Sequence, residues 1–218
     1  MTSPKGYRSK APSRAEAALE WFELHTREAM WGVIALVVLA GGYWFYQKSQ
    51  AAQGRNASVA LQEAEQAINA GNLPLAQANL EKMVRRYGDM QAGKVGVVLL
   101  AQVHYQKGEY QAGIDALKPL ATGSDPYFTA SALSMTGAGL EQLHRYVEAA
   151  ASYQAASEKS MFDTDKAINL SSAARNLMLA GKVADAKAIY EKLASDPQGT
   201  ASAEARVRLG EMDAKPTT

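Results

Sequence analysis

Asn69-Ala70-Gly71-Asn72-Leu73, Gln106-Lys107-Gly108-Glu109-Tyr110, Gln142-Leu143-His144-Arg145-Tyr146 and Leu179-Ala180-Gly181-Lys182-Val183 can be laid one upon another. Their last residues stand 37, 36 and 37 positions apart. Three positions further on come Ala76, Gly113, Ala149 and Ala186, all small; seven further on come Leu80, Leu117, Tyr153 and Tyr190, all large. Nine positions upstream lie Ala64, Ala101, Gly137 and Ala174, again small. Self-similarity at a fixed period marks stacked structural repeats. Paired antiparallel helices approach closely only where small side chains face each other, and large ones fill the space between pairs. Gly71, Gly108 and Gly181 predict a left-handed residue ending each first helix. His144 takes that place in the third repeat, at some cost in strain or with a different turn.

Between these turns the apolar residues recur at intervals of three and four, which predicts helix throughout. Ser124-Asp125-Pro126 and Ser195-Asp196-Pro197 are expected to mark repeat boundaries, with Asp capping the next helix and Pro in its first turn. Pro119 should end or bend a second helix. Asp163-Thr164-Asp165 starts like a calcium loop but lacks the later glycine and glutamate, so a helix cap is expected. Gly137-Ala138-Gly139 is expected to be a close-packing surface inside a repeat helix. The stretch from Thr200 to Met212 reads as a final capping helix with Arg206, Arg208 and Glu211 on its polar face, followed by a loose end at 214–218.

This series of small, turn, aromatic, small and large positions resembles the tetratricopeptide repeat over residues 57–198. Departures are the extra two or three residues per repeat, the missing first-helix tryptophan, and Gly113 where alanine is usual. The resemblance implies an all-α chain whose repeats wind into a right-handed solenoid of about four helix pairs.

Ahead of the repeats, residues 29–47 carry no charge, between Glu28 and Lys48. Nineteen helical residues span roughly 28 Å, close to the hydrocarbon thickness of a bilayer. Trp31 lies at one end and Tyr43, Trp44, Phe45 and Tyr46 at the other, as expected for residues at a membrane interface. The preceding stretch is long and holds Glu16, Glu20, Glu23 and Glu28, unlike a signal peptide, and four aromatic residues follow where small ones are usual. An uncleaved single-span anchor is the favoured reading, although Ser49-Gln50-Ala51 is a faint cleavage-like triplet. Lys5, Arg8, Lys10, Arg14 and Arg27 precede the span, whereas Lys48 and Arg55 follow it. That bias places the N-terminus in the cytoplasm. Ser13-Arg14-Ala15-Glu16 reads as a capping box of a juxtamembrane helix, after a loose tail at 1–12. The expected organisation is therefore a cytoplasmic tail and juxtamembrane helix (1–28), transmembrane helix (29–47), linker (48–56), repeats (57–198), and capping helix with tail (199–218).

Composition narrows the chemistry. The 218 residues contain no cysteine, which removes disulfides, thiolate metal sites and cysteine nucleophiles. Lys+Arg 23 against Asp+Glu 22 leaves a net charge of +1, too little for general nucleic-acid binding. Of the three histidines, His25 is expected as an interfacial surface residue, His104 has no evident acid partner, and His144 has no second metal ligand at helical spacing. Phosphate-loop, dinucleotide, zinc-hydrolase and serine-hydrolase motifs are absent from the sequence. Arg85-Arg86 is too short a basic run to suggest nucleic acid. No enzyme activity, cofactor or metal site is expected.

The order of a short tail with Trp21-Phe22, one span, a trailing aromatic cluster and tetratricopeptide-like repeats resembles the YfgM-type family. That resemblance implies an ancillary subunit of the bacterial Sec translocon, anchored in the inner membrane with periplasmic repeats. Its implied partners are translocon subunits, a periplasmic chaperone or exported clients. Threading the repeat register places Gln102, Tyr105, Glu141, Arg175 and Met178 on the partner groove. The alternatives are a structural subunit of a respiratory or photosynthetic complex, or a scaffold for envelope or division machinery.

Overall fold

The structure, a computed structural model, describes residues 26–214. The expectations for the 1–12 tail, the Ser13–Glu16 capping box, the helix around Trp21-Phe22, His25 and residues 215–218 lie outside them. Among the described residues nine helices follow in order, with no strand. They are α1 (Thr26–Asn69), α2 (Leu73–Tyr87), α3 (Gln91–Gln106), α4 (Tyr110–Ala121), α5 (Pro126–Gln142), α6 (Tyr146–Lys159), α7 (Asp163–Leu179), α8 (Val183–Ala194) and α9 (Ser202–Asp213). One compact unit ends at Ala52 and a second begins at Gln53.

The described part of the first unit is the start of α1. It is long and apolar enough to cross a membrane, and none of its apolar window is buried in the protein. Leu36, Val37, Val38 and Leu39 are each about two-thirds exposed. The aromatic rings near its end are tied along the helix. Gln47 Nε2 donates to the Tyr43 hydroxyl at 2.8 Å, and Lys48 Nζ lies 4.9 Å from the centre of the Trp44 ring. Residues 48–56, expected as a linker, are helical. They contain no proline, and Ala, Gln and Lys favour helix enough to carry the single Gly54.

The second unit is the solenoid. The last turns of α1 pair with α2, α3 with α4, α5 with α6 and α7 with α8, and α9 packs on α8. Consecutive pairs also pack against each other, α2 on α3, α4 on α5 and α6 on α7. The small and large positions read from the sequence are the core. Ala64, Ala101, Ala174, Ala76, Ala149 and Ala186 are fully buried, as are Leu80 and Leu117. Glycine is needed where an aromatic ring crosses. A Cβ on Gly137 would stand 2.9 Å from the Tyr153 ring, and one on Gly113 would stand 2.3 Å from Tyr105. Neither distance is open to real carbon atoms, so the helices could not close on these rings with any larger residue.

The four turns share one hydrogen-bond pattern. Asn72 N, Glu109 N, Arg145 N and Lys182 N donate to the carbonyls of Ala67, His104, Leu140 and Leu177 at 2.8–2.9 Å. Gly71 N, Gly108 N, His144 N and Gly181 N donate to Ile68, Tyr105, Glu141 and Met178. This paired closure is the Schellman motif, which requires a left-handed residue. The four residues there have φ of 70°, 78°, 57° and 73° in chain order, His144 among them. The third turn is therefore the same turn built with the wrong residue. His144 Nδ1 meets the Tyr146 hydroxyl at 2.7 Å, which compensates in part.

Asp125 is the N-cap of α5 and Pro126 opens it, as expected, and the Asp125 carboxylate also accepts from Lys94 Nζ at 3.1 Å. Two other sequence expectations about helix starts are corrected. Asp196-Pro197 opens no helix. Asp196 Oδ1 takes the N–H of Gln198 at 3.1 Å in a local turn, and α9 starts only at Ser202. Asp163 lies inside the first turn of α7, which it favours through the helix dipole, rather than at its cap, which is Phe162. Pro119 sits within α4, which ends two residues later.

The shared turn yields a paired prediction. Nothing lies within 4 Å of a Cβ on Gly108, so Gly108→Ala tests backbone strain alone. It should destabilise the repeats by about 1–2 kcal/mol in a denaturant titration. His144→Gly should do the reverse, by about 0.5–1 kcal/mol, net of its lost hydroxyl contact. A neutral result for both would mean that the left-handed geometry is not what these positions select for.

Candidate partner-binding groove

Helices α5 and α7, the first members of the third and fourth pairs, line a furrow. A pocket between Tyr127, Ser131, Ser134, Asp165 and Ile168 lies at one end and the Glu141–Arg175 ion pair at the other. Steps of four and three residues lead along α5 from Tyr127 through Ser131, Ser134 and Ala138 to Glu141. Along α7 they lead from Asp165 through Ile168 and Ser172 to Arg175. Such steps keep residues on one helical face.

Glu141 closes one end of this furrow. Its carboxylate accepts from Arg175 Nη2 at 3.0 Å, from Asn176 Nδ2 at 3.0 Å and from the Tyr153 hydroxyl at 3.5 Å. Burial raises its pKa, but the hydrogen bonds from Asn176 and Arg175 outweigh that and hold it below the usual carboxylate range. Burial, with the neighbouring Glu141, pushes Tyr153 up to about 12. Asn176 is fully buried; its amide also donates to Ser172 O at 2.9 Å, while its Oδ1 has no partner. Beyond Arg175 the surface opens into a pocket of about 410 Å³ between α7, α8 and α9, lined by Met178, Leu179, Tyr190, Arg208, Glu211 and Met212. Arg208 is held by Glu211 at 3.0 Å.

Of the positions placed on the groove from sequence, Glu141, Arg175 and Met178 come together here. Gln102 is exposed on α3, outside this cluster. Tyr105 has a different occupation. Its ring is half-buried between Gly113 and Gly139, and its hydroxyl donates to Met135 O at 2.9 Å. Burial raises its pKa far above that of a free phenol. It wedges the second and third repeats together, and the small residues opposite it carried the signal for that.

Sequence reasoning missed Asn176, which reads as one polar residue on a mixed helix and is found only by placing α5 beside α7. The expectation that His104 lacks an acid partner is also corrected. The turn after α3 folds Glu109 back, and its carboxylate meets His104 Nδ1 at 2.7 Å and Lys107 Nζ at 2.6 Å. Lys107 also donates to Gln77 of the preceding pair. This cluster therefore fastens a turn to the repeat before it. Trp31, Tyr43, Trp44, Phe45 and Tyr46, the aromatic residues expected at a membrane interface, are all more than 60% exposed. Among the described residues, no group of three or more His, Asp or Glu side chains is placed to hold a metal ion.

A family profile described as a tetratricopeptide repeat-like domain matches residues 19–113 and again 59–172. No curated protein matches the chain in sequence.

The Glu141 network predicts a pH dependence. A carboxyl whose folded pKa is lowered adds stability above the ordinary carboxylate range and loses it as pH falls through the folded value. Between about pH 6 and pH 3 the wild type should therefore lose more stability than Glu141→Gln, although the variant is the less stable at neutral pH. Equal slopes in the two titrations would show that the network does not couple to folding. Tyr105→Ala should cost about 3 kcal/mol, the low end of the range for removing a core aromatic, because its ring is half-buried. Arg175→Ala should cost about 1 kcal/mol or less, and thermal melts of the two variants separate wedge from rim.

Proposed function

Because the chain belongs to the tetratricopeptide repeat-like domain family, a scaffold for protein–protein interaction, we propose that it works as a membrane-anchored, non-enzymatic scaffold. In this reading the N-terminus is cytoplasmic, α1 spans the bacterial inner membrane near residues 29–47, and the repeats are periplasmic. The repeats act there as a chaperone-like accessory of Sec-dependent export, holding translocon subunits, a periplasmic chaperone or emerging clients. The partner-groove residues are Gln102, Glu141, Arg175 and Met178, with Tyr105 supporting the surface from behind. The finer assignment to export rests on the resemblance to the YfgM-type family.

The observation that carries the anchor is the bare apolar start of α1. Its exposed Leu, Val and Ile side chains would cost about 1.5–3 kcal/mol each in water relative to burial. Lipid removes that cost, and the uncharged length matches a bilayer. The observation that carries the scaffold is the furrow, which is exposed, elongated and mixed in chemistry. Stacked helix pairs use such surfaces for extended partners.

A second reading, a stoichiometric subunit of a larger membrane complex, has one favourable observation. A Cβ on Gly32, Gly41 or Gly42 would meet nothing within 4 Å, so α1 has open notches where another helix could approach closely.

Photo-crosslinkers at Gln102, Met178 and Trp44 in the native membrane distinguish these readings. Adducts from Gln102 and Met178 to translocon subunits, a periplasmic chaperone or nascent exported chains are expected. Adducts from Trp44 alone, to one fixed complex, would replace the export reading with the structural-subunit one. Protease added to spheroplasts should digest the repeats and leave residues before the span intact; the opposite protection would invert the topology.

A further inference from the structure

The furrow between α5 and α7 has a second end, away from the Glu141–Arg175 pair. A pocket of about 290 Å³ opens there, where the α6–α7 turn folds beside the start of α5. Asn169 forms its floor and is only 6% exposed. Its Nδ2 donates to Ser160 Oγ at 3.3 Å, while its Oδ1 has no hydrogen-bond partner among the described residues. Among the described residues the Ser131 and Ser134 hydroxyls, on the facing stripe, are also without partners, and so is the Asp165 carboxylate.

These free groups define what can sit there. A carboxylate and an amide oxygen only accept hydrogen bonds, and hydroxyls can accept as well as donate. The occupant must therefore bring donors. Asp165 is the one charged side chain among the residues that line the pocket, and it has no ion-pair partner among the described residues, so the lining itself carries negative charge. The rim is apolar: Tyr127, Met161, Phe162 and Ile168 are 51–64% exposed. Aromatic faces attract cations, and thioethers adapt to varied apolar shapes.

We propose that this end of the furrow binds a segment of another polypeptide in which a lysine or arginine stands beside aliphatic or aromatic residues. The cation lies between the Asp165 carboxylate and Asn169 Oδ1, and its apolar neighbours cover Tyr127, Met161, Phe162 and Ile168. The segment then continues along the furrow towards Glu141 and Arg175. This rests on the scaffold reading and specifies its ligand: basic–apolar stretches, in preference to acidic ones.

The test uses the full chain in phosphatidylcholine nanodiscs, whose surface carries no net charge, and fluorescence anisotropy. Three twelve-residue peptides of Leu, Phe and Ser carry two Lys, two Gln or two Glu at the same positions. The Lys peptide should bind about tenfold tighter than the Gln peptide, with the Glu peptide weakest. Asp165→Asn, on the surface, should weaken the Lys peptide about fivefold and leave the Gln peptide unchanged. Phe162→Ser should weaken Lys and Gln peptides together. Equal affinity for Lys and Glu peptides, or no response to Asp165→Asn, overturns the proposal. Displacement of the Lys peptide by chitotetraose also overturns it, in favour of a glycan site. If no peptide binds while crosslinks from Gln102 and Met178 still reach export components, this inference fails and the scaffold reading stands. Loss of both results removes the two together.

Discussion

The structure depends on how closely paired helices can approach. Each pair closes at a small residue on one helix and a small residue on its partner, with one large side chain filling the gap to the next pair. Ala64 with Ala76 and Leu80, and Gly137 with Ala149 and Tyr153, are two instances of one arrangement. A methyl group added at Gly113, Gly137 or Gly139 would enter an aromatic ring. Interiors packed as densely as organic crystals have no slack to absorb it. The helix-to-helix distance thus fixes which faces remain outside, and those faces make the furrow.

Much of this was legible because packing and turn chemistry repeat along the chain. Gly71, Gly108 and Gly181 announced left-handed turns, and a fixed spacing of small and large residues announced the pairs. Helix starts were less legible. Asp125 and Asp196 have the same neighbours in sequence, yet one faces Lys94 of an earlier helix and the other folds onto Gln198. Local propensity is identical in the two cases, and only the tertiary surroundings separate them. The furrow was legible in part for the same reason. Glu141, Arg175 and Met178 follow from register alone, whereas the burial of Tyr105 depends on glycines in two other helices. Asn176 and Asn169 gave no signal, because a buried amide in a helix reads like an exposed one.

The joints between repeats are not chemically alike. The first two are closed mainly by Leu, Val, Met and Phe. The joint between the third and fourth pairs instead gathers Glu141, Arg175, Asn176 and Tyr153. Leaving Asn176 Oδ1 unpaired in the interior costs about 1–3 kcal/mol, a cost that an apolar residue would avoid. The polar joint trades stability for a defined pairing of α5 with α7, the two helices whose spacing sets the width of the furrow.

The neighbour-to-neighbour contacts have a mechanical consequence. Load applied along the stack passes from pair to pair, because among the described residues the helices pack chiefly on their neighbours in sequence. Helix α9 rests on α8 and is further held by polar contacts, Lys187 to Asp213 and Ser171 to Glu204. Surface ion pairs contribute little. Tension from the C-terminal end should therefore shed α9 first and uncover Tyr190 and Leu177 while the earlier pairs stay folded. The solenoid is a spring with one soft coil, and that coil borders the pocket holding Met178 and Arg175.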